Sequence, residues 1–263
     1  MLDEKAQENI FNPPWETKQV LLAFLISFLI FFVFTAALGL YLKYLNFLGI
    51  IGKVPRSIFT HTVWGDLLML FYFLLLGLAG YFLILKRING SKVRFFIDFS
   101  KIKKDLFYAF KVYLLGFLGA FILGVFIALS IIFVAILSKK DPLKAIEFYS
   151  KGLDIERARI TAHLGITKII LLVFIAPVFE ELFFRGCLYS AIRKRHGFIF
   201  SIIATSLLFA FMHGYLFNLL NIIFMGVIVT WIYERRRSLT APIFFHFLWN
   251  LMVFLIMLLS RPG

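Results

Sequence analysis

The sequence predicts an all-α, polytopic integral membrane protein, and three observations carry that prediction. The chain is 62% hydrophobic and 19% aromatic over 263 residues, with a mean hydropathy of +0.93. A water-soluble domain averages roughly 45–50% apolar residues, so this chain has more apolar surface than a water-exposed fold can hide. Seven apolar runs approach or exceed the ~20 residues that a helix needs to cross the hydrocarbon core. The Lys and Arg residues behind the net charge of +14 gather between those runs, where anionic headgroups attract them. The charge therefore marks a partnership with the lipid bilayer and not with nucleic acid.

Each element can be justified in chain order. Residues 1–19, "MLDEKAQENIFNPPWETKQ", form a polar tail without the basic n-region of a secretory signal. The run that follows, 20–42, is too long for a signal and has no small-residue cleavage site, so it reads as a retained span. The second run is 63–85 and the third extends from Tyr108 to Leu137, so 20–137 holds the first three spans. Gly116, Ala120 and Gly124 share one face of the third and predict a close helix contact there.

The connection 138–167 mixes charges with apolar residues at helical spacing. It reads either as an amphipathic segment along the membrane surface or as a solvated connector. Residues 168–259 hold the remaining four runs: Lys168 to Arg193, Ile199–His213, Leu216–Tyr233 and Leu239–Leu259. An eighth span has room in the long third run or in the Lys139–Thr167 connection. With no soluble domain or internal repeat, 1–263 reads as one transmembrane domain. Lys and Arg favour the loops on the N-terminal side, which places the N-terminus in the cytoplasm. The single cysteine, Cys187, excludes an internal disulfide and a multi-cysteine metal site.

Ionisable side chains inside the apolar runs are the anomaly. A charge at mid-bilayer costs roughly 2.5–3.5 kcal/mol on insertion scales. The fourth run nonetheless contains "APVFEELFFRG", with Glu180 about 18 Å into the span at 1.5 Å per residue. Glu181 and Arg185 are four residues apart on one helical face, acid first, and can neutralise each other. Glu180 points about 100° away from that pair, and Pro177, one turn earlier, predicts a kink that opens space beside it. In "FAFMHG" His213 follows Phe209 by one turn, and in "FFHFLWN" His246 and Asn250 share one face of the last span. The fifth and sixth runs are short and their joint "HGYLFN" is uncharged, which predicts a hairpin turning within the membrane. His213 would then lie level with Glu180, and all these residues would line one cavity open to the cytoplasm. Cys187, His61, Asp66, His163 and His196 read as ordinary.

"EELFFR", "FAFMH" and "HFLWN" have the form and order EExxxR, FxxxH and HxxxN. Together they resemble the CAAX-protease and bacteriocin-processing (CPBP or Abi) family of intramembrane proteases. The resemblance covers roughly Lys168 to Leu259. It implies Glu180 as the general base on a water, His213 as a residue holding that water, and His246 and Asn250 as oxyanion donors. It leaves supporting roles for Glu181 and Arg185. It also implies a membrane-anchored protein or peptide substrate, and the chain's compactness favours a prokaryotic plasma membrane as the setting.

The residues suit that chemistry, since peptide hydrolysis needs an activated water and donors aimed at the developing charge. Glu180, His213 and His246 also supply the His2Glu ligand count of a catalytic zinc site, so a metal-activated water stays open beside a metal-free one. Two other functions remain: a non-proteolytic membrane adaptor or bacteriocin-immunity protein of the same fold, and a proton-coupled transporter, against which the lack of repeats argues.

Overall fold

The computed structural model describes residues 13, 15–49, 63–84, 99–161 and 166–259; the side chains of 63–66, 81–84, 159 and 161 are not among those described. Among the described residues the chain is helical and has no strand. The helices are α1 (Thr17–Phe47), α2 (Val63–Ile84), α3 (Ile102–Leu137), α4 (Pro142–Thr161), α5 (residues 166–193), α6 (Phe198–His213), α7 (Leu219–Arg236) and α8 (Thr240–Leu259). The protein is an all-α membrane protein. Three of these helices, α1, α3 and α8, are each long and apolar enough to cross a bilayer. Shorter apolar stretches run over Leu67–Gly80 and Phe198–His213, while α7 ends on the charges of Glu234, Arg235 and Arg236. The connection expected over 138–167 is the separate helix α4.

The chain divides into two compact units. The first holds residues 1–96 and 163–195, the second residues 97–162 and 196–263. Lipid solvates apolar side chains as well as a protein core does, so helices meet here by close packing rather than by escape from water. In the first unit α1 packs on α2 and α2 on α5. Aromatic contacts mark the seams: Phe34 with Phe71 (4.7 Å between ring centroids), Phe31 with Tyr72 (5.4 Å) and Phe24 with Phe183 (5.3 Å). Gly77 on α2 lets the Phe179 ring of α5 lie directly on the backbone, in space that a Cβ would need.

In the second unit α3 packs along α8 and touches α4 and α7, and α6 pairs with α7. The predicted small-residue face of α3 is corrected in part. Gly116 faces Ile228 and Phe245, but Gly124 has nothing within 4 Å of where a Cβ would stand. The close contact is made instead by Gly119, where a Cβ would come to 2.7 Å from the Phe224 ring. At one end of this unit the buried Asp105 of α3 accepts a 2.7 Å hydrogen bond from Arg236 Nε at the close of α7.

Both units turn their polarity inward. Leu115 is 70% exposed and Phe126 66%, whereas Glu181, Arg185, Thr205, Ser206 and Thr230 have no exposed surface. That arrangement suits a hydrocarbon solvent, which rewards apolar exteriors and leaves polar groups to find one another inside.

Candidate active site

Helix α5 is not a regular helix. It opens as an α-helix over Ile166–Ile169, widens to π geometry over Ile170–Ile175, returns to α over Ala176–Glu181, widens again over Leu182–Tyr189 and closes as α over Ser190–Arg193. Pro177, where the sequence predicts a kink, stands just after the first wide segment. Pro177 has no N–H to give, and its ring crowds the carbonyl one turn back, so the chain widens before it. Side chains serve the carbonyls of the second wide segment. The Trp15 indole N–H donates to the Cys187 carbonyl (3.0 Å) and the Ser190 hydroxyl to that of Arg185 (3.1 Å). Cys187 itself is fully buried.

The two adjacent acids have different environments. Glu181 and Arg185 form the expected ion pair, Nη1 to Oε1 at 2.9 Å, with neither side chain exposed. Glu180 is half-buried. It acts electrostatically on Arg185 and on Tyr72 of α2, a neighbour that no local pattern announces. One acid is therefore sealed in an ion pair while the other is only half-buried.

His213 is the last residue of α6. Gly214 follows in the left-handed conformation (φ 65°) that glycine adopts at little cost, and this stops the helix there. The His213 Nδ1 stands 2.8 Å from the Phe209 carbonyl oxygen. A carbonyl can only accept, so Nδ1 carries the hydrogen in this bond, and in the neutral ring Nε2 is then the acceptor nitrogen. The Phe209 ring lies 4.5 Å from the His213 ring and meets that of His246 edge-on at 5.8 Å. Phe209 is thus a shared spacer between the two imidazoles. His246 is buried on α8, and Asn250, one turn later on the same face, is half-buried.

The structure places the acids of the first motif in the first unit and His213, His246 and Asn250 in the second. His196 stacks against Phe200 (4.7 Å) in a connection. His61, His163 and the side chain of Asp66 lie outside the described residues. Among the described residues no group of three or more His, Cys, Asp or Glu side chains gathers as metal ligands.

Ionisable groups buried in helices with apolar exteriors define a polytopic membrane protein with polar groups inside each unit. The likeness to known proteins is more particular. Residues 162–252, which contain all three motifs, match the family described as "Type II CAAX prenyl endopeptidase Rce1-like". The chain is also similar to "Putative membrane peptidase YdiL" of Bacillus subtilis (strain 168), at 29% identity over 119 residues, 43% of this chain and 49% of that protein. The chain spans about half the length of this curated relative. No solved structure matches it.

Proposed function

We propose that the protein is an intramembrane endopeptidase that hydrolyses a peptide bond in a membrane-anchored substrate. The observation that carries this reading is the division of labour between the two acids. Glu181 is locked to Arg185, and Glu180 stands half-open beside it on an otherwise apolar helix.

In the proposed reaction the Glu180 carboxylate takes a proton from a water molecule. The Nε2 of His213 accepts a hydrogen bond from the same water and aims its oxygen at the scissile carbonyl carbon. As the C–O bond forms, the carbonyl oxygen gathers negative charge and receives hydrogen bonds from a His246 ring N–H and the Asn250 side-chain amide. Glu180 then returns its proton to the leaving nitrogen as the C–N bond breaks. Supporting this, the His213 tautomer fixed by Phe209 suits a water acceptor and not a neutral oxyanion donor.

Glu180, His213 and His246 are the residues that would hold a zinc ion, which would activate the same water; the steps above use the chain's own groups. Metal analysis of purified protein, with activity before and after chelation, tests this; retained activity in stripped protein is expected. We further place the protein in a prokaryotic plasma membrane with its N-terminus and catalytic groups toward the cytoplasm, in keeping with the positive loops.

The decisive experiment compares membrane proteomes of cells carrying wild-type protein or Glu180→Gln. A substrate fragment present only with wild type supports the peptidase. Identical fragment patterns, with any cellular phenotype retained by the variant, favour the adaptor or immunity reading.

A further inference from the structure

On helix α4, Tyr149, Gly152 and Glu156 are spaced three and four residues apart and therefore share one face. All three touch the turn that follows His213. The buried Glu156 carboxylate accepts two backbone N–H bonds, from Phe217 to Oε1 (2.8 Å) and from Asn218 to Oε2 (3.1 Å). The Tyr149 hydroxyl donates to the Phe217 carbonyl (3.0 Å). Gly152 clears the space that the Phe217 ring occupies, and Phe148 closes over that ring edge-on at 5.8 Å. Burial and the charge of Glu156 push the Tyr149 phenol above its ordinary pKa, so it stays a neutral donor.

The grip has a mechanical consequence. Gly214 ends α6, but nothing stands within 4 Å of where its Cβ would be, so no neighbour packs on that side of it. The turn is fixed further on, where a carboxylate straddles two amides at the start of α7, the end of a helix that favours negative charge. Resting on the peptidase reading, we propose that Glu156 is a positioning residue that, with Tyr149 and Gly152, holds the 214–218 turn and thereby sets the direction of the His213 Nε2 lone pair. Glu156 touches no reacting atom in this scheme; it acts through the backbone.

The test uses full-length protein with 15N-labelled histidine in lipid nanodiscs, the His213 signals being identified by their loss in His213→Asn. Wild type should show the two well-separated ring nitrogens of a single fixed tautomer. Glu156→Gln keeps the shape but can accept only one of the two amides. It should draw those signals toward each other, Glu156→Ala should do so further, and Tyr149→Phe less. Cleavage of the substrate found in the proteome comparison should fall about 10²-fold in Glu156→Ala, the order expected of a 1 Å misplacement. If Glu156→Ala disturbs the His196 and His246 signals as well, Glu156→Gln decides. His213 signals unchanged in Glu156→Gln overturn the proposal, whatever the cleavage assay shows. If no fragment depends on Glu180, the peptidase reading fails while the histidine spectra still answer for the clamp.

Discussion

Helices α3 and α5 are both apolar and both of membrane-spanning length, yet they are built on different plans. α3 is a regular helix that buries one narrow stripe, Asp105, Ala109, Tyr113, Gly116, Ile127 and Ala135, and beyond its lysines at the N-terminal end exposes mostly apolar side chains. In α5 every residue from Phe183 to Tyr189 is buried. That helix departs twice from α geometry and carries a complete ion pair inside itself. A helix apolar on all sides can be wall or working part. The difference lies in where its carbonyls go and whether it must shelter charge.

The comparison can be broken or sharpened by substitution, beginning with the largest effect. Glu180→Gln should lower proteolysis about 10²–10⁴-fold, the range of a lost general base, as read from the rate of fragment appearance. Near-normal cleavage would return α5 to the status of a wall.

Arg185→Leu or Glu181→Leu alone leaves a buried charge uncompensated and should destabilise the protein by about 3–5 kcal/mol in thermal unfolding in detergent. The double replacement Glu181→Leu with Arg185→Met should recover most of that loss, because neither partner's charge is then left buried without the other. Failure to recover would show that the pair serves more than its own neutrality.

Gly77→Val, which forces a side chain into the Phe179 ring on α5, should cost about 1–3 kcal/mol. Gly124→Val on α3, in open space, should cost far less. Leu115→Val on the outer face of α3 should change stability by no more than about 0.5 kcal/mol in the same assay.

Much of this was legible in local pattern. The apolar runs locate α1, α3, α6 and α8, and the spacing of Glu181 and Arg185 foretells their bond. What escaped depends on distant partners. The wide turns of α5 draw on Trp15, a donor 172 residues away from the Cys187 carbonyl it meets. The predicted glycine face of α3 chose Gly124 over Gly119 because helical spacing names a face without naming what stands opposite. The stripe of Tyr149, Gly152 and Glu156 was present in the connection, yet an acid four residues after a glycine looks like any amphipathic pattern until Phe217 is seen against it. Tyr72, coupled to Glu180, had no signal at all within its own apolar run.

The ion pair of α5 also bears on biosynthesis. Its two members lie one helical turn apart on the same segment, so each can silence the other as soon as that turn winds, before any neighbouring helix arrives. The Asp105–Arg236 bridge has no such freedom: 131 residues separate its ends, and Asp105 must wait for nearly the whole chain to emerge. The segment with the costlier cargo can therefore enter lipid early, on its own terms.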